Sequence, residues 1–437
     1  MPPPTPMQLG RAILRHYAPS IVVPTAATSG PISSAAASTA SLASIHPLFE
    51  FIQGCARRVD PQTHLYVFGS TRVYGFSEVS APTSVGPPAA LARPVKNDVD
   101  IAALSAADVA TTPSPHSADA VVDKGSELAK SLQIDFLEKL KMQLQTQRQH
   151  QGDGAPPAAS LSWEMEVVKR ARVPVLRLQP RPAYTTSAAG GVPTYNVDVT
   201  YGRRCGVLNS ALLRRYMDQQ PDLRYLCLAV KRWSKLTGLN TATSPDGGGL
   251  TSYGFHLLLV YYALRRRLVA YVAPENIQWG DIAPVPAALP LRFPGDADGA
   301  DAWRGRSLGE RIAQDDAAAA RVGEWALDFV RFYLHEFDYE RDVASLSRGA
   351  AAAGLVTTEA LQWTRQEEYA ARGRGEYLFY RFCIEDPYEI NLNVGRHMSS
   401  VKLMIFKKHL EKALETGLAF IPADEKAKQR VKPKGKE

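Results

Sequence analysis

Three aspartates in strand-like runs form the pattern with the clearest chemical meaning. Asp98 and Asp100 stand two positions apart in a run that alternates polar and apolar residues, and Asp198 lies in a similar run further along the chain. Residues i and i+2 of a β-strand point to the same face, and neighbouring strands lie about 5 Å apart. Converging carboxylates repel one another unless cations such as Mg²⁺ or Mn²⁺, which prefer oxygen ligands, lie between them. The pattern therefore predicts a two-metal site for phosphoryl transfer, with Asp98, Asp100 and Asp198 as catalytic residues and metal ligands.

A glycine-serine pair, Gly69-Ser70, follows a short apolar run at residues 65–68 that predicts a buried strand. Glycine permits close backbone approach, and a helix start after it offers N–H groups and the Ser70 hydroxyl to phosphate oxygens. A lone Gly-Ser or Asp-x-Asp is more often an ordinary turn or a solvated strand face. The order of the motifs, with a third aspartate after them, favours a nucleotide site.

The surrounding elements predict an α+β protein, in which a mixed sheet carries these motifs and a mostly helical region follows. Its length of 437 residues suits two domains. The predicted strands are residues 65–68, 98–103, 164–177 and 194–201. The predicted helices are residues 7–17, 47–59, 126–148, 210–218, 223–237, 252–267, 324–336 and 401–416. The predicted organisation is an N-terminal tail with a short helix (1–45), a catalytic domain (46–205), a helical central domain with an irregular insertion at about 273–323 (206–415), and a basic tail (416–437).

The order strand, Gly-Ser, Asp-x-Asp, Asp resembles that of the DNA polymerase β-type nucleotidyltransferase superfamily. The run Cys383-Ile-Glu-Asp-Pro-Tyr-Glu-Ile-Asn-Leu-Asn-Val-Gly-Arg396 is similar to the nucleotide-recognition motif of its non-canonical poly(A) polymerase and terminal uridylyltransferase branch. Segments 206–210 and 251–255 look like the ribose and base-pocket segments of that branch. Within it, the chain is most similar to the smallest kinetoplastid-type enzymes, although its spacer between Ser70 and Asp98 is longer than the usual turn. The resemblance implies a polymerase β-like fold with its active site in an interdomain cleft.

Several residues acquire phosphate-binding roles from this resemblance. Gly69 and Ser70 would contact the triphosphate, and Asp198 would accept the proton of the RNA 3′-hydroxyl. Lys231 and Lys235 are four apart on a predicted helix, so both ammonium groups project from one face toward the β- and γ-phosphates. The alternative is that the two lysines are simply solvated.

Other residues would contact the ribose and the base. Tyr253 would stack on the base and Ser252 would bind a phosphate or a base edge, while Asn209 and Ser210 would meet the ribose hydroxyls and the uracil O2. Two structural alternatives stay open at this point. Tyr253 could begin a core helix, and Asn209 or Ser210 could cap a helix start.

The resemblance also implies that the choice of base depends on Asp386 and Glu389. Together they would hold a water that accepts the uracil N3 proton, which cytosine lacks. Arg396 would lie near this pocket and touch base or RNA. Alternatively, Asp386 begins an ordinary turn, Glu389 is solvated and Arg396 caps carbonyls.

The expected activity is template-independent transfer of UMP from UTP to RNA 3′ ends. A poly(A) or oligo(A) polymerase of the same branch is the first alternative, and an inactive RNA-binding scaffold is the second. The expected partners are UTP and single-stranded RNA. The chain is expected to be a monomer, and its net charge of +7 would bind RNA weakly. Membership of an RNA-processing complex is left open.

Composition argues against membrane-spanning, zinc-binding and disulfide-rich classes of protein. The longest apolar run, residues 255–264, is far too short for a membrane span, and four scattered cysteines support neither a zinc knuckle nor a disulfide framework. A reducing compartment fits, and the resemblance favours the cytoplasm. The first 49 residues contain no Asp or Glu. A mitochondrial leader is therefore an alternative to an ordinary N-terminal tail.

Overall fold

The computed structural model describes residues 3–17, 36–74, 97–110, 127–150, 163–171, 173–180, 195–240, 248–285, 316–346, 380–389 and 392–417. Within them the strands are β1 (His64–Phe68), β2 (Asn97–Leu104), β3 (Trp163–Val168), β4 (Val175–Pro180), β5 (Tyr195–Tyr201), β6 (Val343–Ala344) and β7 (Cys383–Ile384). The α-helices are α1 (Pro6–Tyr17), α2 (Ala36–Val59), α3 (Gly69–Tyr74), α4 (Ala106–Ala110), α5 (Glu127–His150), α6 (Arg204–Gln219), α7 (Leu223–Leu236), α8 (Ser252–Arg265), α9 (Asp316–Arg331) and α10 (Ser400–Thr416). Most of the spacer between Ser70 and Asp98, together with segments 286–315 and 347–379, lies outside the described residues.

Five strands form one mixed sheet in the order β1-β2-β5-β4-β3. Strands β2 and β5 are parallel, and the other three pairings are antiparallel. A parallel pair needs a long crossover, which here contains α5 and the β3–β4 hairpin. The mixed sheet with the helices after it confirms the predicted α+β class.

The two faces of the sheet have different partners because side chains alternate along each strand. One face is apolar and packs with α2 and α5 in a core that includes Val67, Ile101, Leu140 and Val199. On the opposite face, Tyr66 and residues 102 and 104 of β2 join the core of the helical region. The predicted aspartates belong to this second face, so the helical region lies over the same side of the sheet that carries them.

One strand prediction was wrong. Segment 164–177 was expected to be a single strand, but it divides into β3 and β4, which pair as an antiparallel hairpin closed by Val168 opposite Val175. The turn between them contains Lys169 and Arg170 and no glycine or asparagine. Pro174, directly before β4, is the sequence signal for the break, because proline lacks the backbone N–H that the interior of a strand uses for pairing.

Three helices begin well before their predicted starts. Helix α2 begins at Ala36 rather than at residue 47. Helix α6 begins at Arg204, directly after a turn at Gly202, so Asn209 and Ser210 lie inside the helix and the alternative that they cap its start is wrong. Helix α9 begins at Asp316 rather than at residue 324, and it ends in a π-helical turn, Phe332–Glu336.

The N-terminal helix is packed into the helical region. In α1, Leu9, Ile13 and Leu14 are buried in the same core as α9. The two helices cross so closely that a Cβ on Gly10 would overlap the carbonyl oxygen of Ala319, and a Cβ on Gly323 would overlap that of Pro6. Each of the three buried aliphatic side chains stabilises this packing by about 1.5–3 kcal/mol.

The start of the predicted irregular insertion is ordered. It forms two 3₁₀ turns, Pro274–Asn276 and Trp279–Asp281. Beyond them, Val285 donates its N–H to the Leu65 carbonyl at the outer edge of β1, 2.8 Å away. Its side chain is buried in the apolar core behind the sheet. We call residues 274–285 the strap, because they link the helical region to the sheet.

Within the described ranges, no helix combines the length and apolar character that a membrane crossing requires.

Candidate active site

The register of the sheet places the three predicted aspartates on one face. Asp100 lies directly opposite Asp198 on the parallel strand β5, and Asp98 lies opposite Asn196. Val99, Val197 and Val199 point to the other side and are buried there, which fixes which face the acids occupy. The side chain of Asp98 lies outside the described part of the structure. Among the side chains that are described, no cluster of three or more His, Cys, Asp or Glu is close enough to hold a metal ion.

The Gly69 turn brings the chain against these acids. Gly69 has a positive φ of 67°, and a Cβ at this position would overlap Asp100 Oδ2. A residue with a side chain would therefore be strained in its backbone and would also displace the carboxylate. Ser70 follows in the first turn of α3. The turn and the carboxylate thus form one surface.

The sheet face that carries Asp98, Asp100 and Asp198, which we call the acid face, also contains an arginine that no sequence motif indicates. Arg177 on β4 lies opposite Asp198. Its Nε donates to Oδ1 at 3.1 Å and its Nη2 to Oδ2 at 3.3 Å. Arg177 stands between the buried Leu176 and Leu178, so polar–apolar alternation on β4 was the signal that could have placed it on this face.

A second cluster surrounds Asp386, whose side chain is only 2% exposed. The Tyr253 hydroxyl donates to Oδ2 at 3.0 Å, and Asn209 Nδ2 donates to both carboxylate oxygens at 3.3 and 3.4 Å. The backbone N–H groups of Tyr388 and Glu389 donate to Oδ1 at 2.9 and 2.8 Å. The Asp386 turn predicted as an alternative is present, and the same turn orients the carboxylate toward Tyr253.

Burial governs the protonation of Asp386 and Tyr253. Burial, and then the nearby Glu389 carboxylate, raise the pKa of Asp386 above its ordinary value. Burial, and then the Asp386 charge, raise the pKa of Tyr253 well above its ordinary value. Tyr253 therefore keeps its proton and acts as the donor. This contact fixes the position of the tyrosine ring.

Glu389 is partnered rather than solvated. Arg203, in the turn just before α6, donates from Nη2 to Glu389 Oε1 at 2.9 Å, and both side chains are largely buried, with 14% and 16% exposed. No local sequence pattern indicates Arg203, because its partner is 186 residues away along the chain. The buried pair holds Glu389 beside Asp386.

Adjacent residues of α6 connect the two clusters. Ser210 Oγ accepts the Gly69 N–H at 2.8 Å and donates to the Gly206 carbonyl at 2.7 Å. One position earlier, Asn209 contacts Asp386, and its Oδ1 is a buried acceptor with no donor among the described residues. Two consecutive residues of α6 therefore contact the Gly69 turn and the Asp386 cluster.

The remaining predicted residues lie around these clusters. Lys231 Nζ lies 5.9 Å from the centroid of the Tyr74 ring, and Lys235 is exposed one turn later on α7. Ser252 Oγ accepts a hydrogen bond from Asn240 Nδ2 at 2.6 Å. Arg396 Nη1 donates to the Asn393 carbonyl at 3.2 Å, so the carbonyl contact predicted as its alternative role is present.

Comparison with known proteins identifies relatives of this arrangement. A family described as "Cid1 family poly A polymerase" matches residues 321–392. The chain is 38% identical to terminal uridylyltransferase 4 of Trypanosoma brucei brucei over 373 residues, which cover 85% of this chain and 90% of that protein. It is 28% identical to terminal uridylyltransferase cid1 of Schizosaccharomyces pombe, over 54% of this chain and 53% of that protein.

A solved structure agrees with the sequence relatives. Terminal uridylyl transferase 4 from Trypanosoma brucei with bound UTP and UMP superposes with a TM-score of 0.66 at 34% identity. The superposition covers 96% of this chain and 100% of that chain. The likeness thus extends over sheet and helical region together.

Proposed function

The chain belongs to the terminal uridylyltransferase family, and we propose that it transfers UMP from UTP to the 3′-hydroxyl of RNA without a template. The contacts of Asn209 and Ser210 are the observation that supports this activity best. Through them, the Asp386 cluster and the Gly69 turn beside Asp100 both contact helix α6. One nucleoside triphosphate can therefore contact both at once, with its base at Asp386 and its phosphates at Gly69.

The acid face fits Mg²⁺ or Mn²⁺. Asp100 and Asp198 present carboxylate oxygens from paired positions of neighbouring strands, and Asp98 stands two residues away on the same face. Hard divalent cations take such oxygens. Arg177 occupies one direction at each oxygen of Asp198, and a carboxylate offers about four acceptor directions, so coordination remains open. Bound ions would supply charge stabilisation for in-line phosphoryl transfer.

The protein's own residues bind and orient the reactants. Asp198 accepts the proton of the 3′-hydroxyl, and Arg177 holds its carboxylate in one orientation. Ser70, Lys231 and Lys235 bind the triphosphate oxygens. Fixed donors and acceptors of this kind lower the barrier because they need no reorganisation during the reaction.

Base selection follows from the Asp386 cluster. The uracil ring stacks on Tyr253, whose hydroxyl is fixed by Asp386. A water held between Asp386 and Glu389 accepts the N3–H of uracil, a donor that cytosine does not present. Asn209 Oδ1, which has no donor within the described ranges, binds a ribose hydroxyl, and Ser210 is the next residue along α6.

We test the activity by incubating the purified protein with a short single-stranded RNA, Mg²⁺ or Mn²⁺ and each nucleoside triphosphate in turn. The proposal predicts extension with UTP well above the other three. Preferential use of ATP would replace the proposal with a poly(A) or oligo(A) polymerase, the activity in the description of the matched family. Failure to extend with any nucleotide would favour an inactive RNA-binding scaffold.

The proposal also includes a cytoplasmic location and a monomer that joins an RNA-processing complex. The packing of α1 supports retention of the N-terminal segment, because removing it as a leader would expose the apolar surface now covered by Leu9, Ile13 and Leu14. Sequencing the N-terminus of the protein from its native cell tests this point. A mature N-terminus after residue 17 would indicate a cleaved leader.

A further inference from the structure

A buried polar cluster lies where α3, α7 and α8 meet. The Tyr74 hydroxyl contacts His256 Nε2 at hydrogen-bond range, and it also lies 3.2 Å from Cys227 Sγ. All three side chains are at most 5% exposed. The His256 ring meets the Tyr74 ring edge-on, with centroids 5.3 Å apart. The cluster therefore joins the end of α3 to the two helices beneath it.

The members of this cluster are uncharged near neutral pH. Burial, and then the Lys231 charge, lower the pKa of His256 to about 3. Burial, followed by Cys227, raises the pKa of Tyr74 well above its ordinary value. Burial raises the pKa of Cys227 to about 12. The contact is consequently a hydrogen bond between neutral groups, with no ion pair and no net charge to neutralise.

Each of the three helices carries a residue assigned above to UTP. Helix α3 begins with the Gly69-Ser70 turn and ends at Tyr74. On α7, Lys231 lies over the Tyr74 ring at 5.9 Å, within the range of cation–π attraction. On α8, His256 follows Tyr253 by one helical turn. The Tyr74 side chain therefore contacts both other helices, α8 through its hydroxyl and α7 through its hydroxyl and its ring.

We propose that the hydrogen bond between Tyr74 and His256 is a positioning contact, which holds the phosphate-binding residues of α3 and α7 in register with the base-binding residue of α8. Tyr74 and His256 are buried and are not among the residues assigned to UTP, so they act through Ser70, Lys231 and Tyr253. The inference rests on the proposed function, because it concerns the binding of UTP. Its consequence is that UTP gains affinity from reaching both ends of the site at once.

This positioning role predicts a measurable difference in affinity between ligands that bridge the site and ligands that occupy one end of it. A ligand that bridges two correctly spaced subsites binds more tightly than either part alone, and the advantage falls when the spacing is wrong. Ligands that occupy one subsite only, such as uridine or inorganic triphosphate, do not depend on the spacing between the two subsites. A loss confined to the bridging ligand therefore distinguishes positioning from direct binding and from general destabilisation.

The decisive variant is Tyr74→Phe, which keeps the ring beneath Lys231 and removes only the hydroxyl. The dissociation constant of UTP should rise by about 3- to 10-fold, as expected for the loss of one neutral hydrogen bond. The constants for uridine and for inorganic triphosphate should each change by less than about 2-fold. All are measured by displacement of a fluorescent UTP analogue in the presence of Mg²⁺.

Tyr333→Phe is the matched control. It removes another buried tyrosine hydroxyl, which donates to the Leu258 carbonyl at 2.7 Å within the helical core. It should lower the thermal midpoint of unfolding as much as Tyr74→Phe does and leave UTP affinity unchanged. An equal loss of UTP affinity in both variants would show that only stability matters and would overturn the inference.

His256 provides a second test that does not depend on Tyr74→Phe folding. Glutamine can present an acceptor near the position of Nε2, whereas leucine cannot. His256→Gln should keep UTP affinity within about 2-fold of wild type, and His256→Leu should lose as much as Tyr74→Phe. Equal affinities in His256→Leu and wild type would refute the positioning role. Failure of the wild-type protein to bind UTP at all would instead refute the proposed function.

Discussion

At the scale of single residues, the site depends on side chains that neighbours hold in place. Asp386 accepts hydrogen bonds from Tyr253, Asn209 and two backbone N–H groups, and Asp198 is held by Arg177. Such fixed polar groups cost little reorganisation when a substrate arrives. Removing one of them should therefore change chemistry or selectivity more than it changes the fold.

The acid face should be essential to transfer. Asp198→Asn keeps the size of the side chain and removes its charge, and kcat for UMP addition should fall by about 10²- to 10⁴-fold, the usual loss when a catalytic base is removed. Single-turnover extension of a labelled RNA measures the change. Glu164→Gln, at an exposed acid on β3, is the control and should extend RNA like the wild type. Near-normal extension by Asp198→Asn would remove this residue from the mechanism.

Asp386 should determine the choice between UTP and CTP. Asp386→Asn keeps an acceptor for the backbone N–H groups and replaces the other oxygen by a donor, so the water that we propose between Asp386 and Glu389 would no longer have to accept from the base. The ratio of kcat/KM for UTP over CTP should fall by about tenfold or more, since one hydrogen bond is exchanged. Steady-state rates with both nucleotides give this ratio.

The control for that ratio is Tyr388→Phe. It lies in the same turn and loses a hydrogen bond to the Pro274 carbonyl, not to the Asp386 carboxylate. It should leave base preference unchanged. A preserved preference in Asp386→Asn would place selectivity at another residue.

At the scale of elements, close helix crossings and strand register position these residues. Alternation along β2 and β5 predicted the shared face of Asp98, Asp100 and Asp198, and the structure has the same register. Arg177 and Arg203 were missed because their partners come from other elements, 21 and 186 residues away along the chain. A local pattern specifies which face a residue occupies, but long-range ion pairs depend on how the elements pack.

The crossing of α1 over α9 should be sensitive to a single methyl group. Gly323→Ala places a Cβ against the Pro6 carbonyl oxygen and should lower the free energy of unfolding by about 1–3 kcal/mol, the usual cost of overpacking. Urea denaturation followed by circular dichroism measures it. Gly54→Ala on α2, where a Cβ would meet nothing within 4 Å, is the matched control and should not destabilise the protein. Equal stability of the two variants would contradict the close crossing.

At the scale of the whole molecule, the helical region and the sheet are joined on more than one side. The strap reaches the outer edge of β1, where Trp279 packs edge-on against Tyr66 with ring centroids 5.6 Å apart. At the site itself, Ser210 binds Gly69. The sequence predicted two regions but not this joining, because the strap resembles an ordinary proline-rich loop. The motif at Asp386 was recognisable in the sequence, whereas its packing against α6 and α8 was not.

The net charge of +7 should dominate contact with RNA. Neutralised phosphates release counterions, so affinity for single-stranded RNA should fall by more than about tenfold when salt is raised about fourfold, given about three phosphate contacts. Fluorescence anisotropy of a labelled oligonucleotide measures this dependence. Affinity that does not vary with salt would point to base contacts as the main source of RNA binding.

The central claim is that one UTP reaches the Asp386 cluster and the acid face at the same time. A crystal structure of the protein with UTP and Mn²⁺ tests it most directly. It should show uracil stacked on Tyr253 with N3 directed toward Asp386 and Glu389, the triphosphate at Gly69-Ser70, and anomalous manganese peaks at Asp100 and Asp198. Uracil bound away from Tyr253, or manganese bound away from both aspartates, would contradict the account.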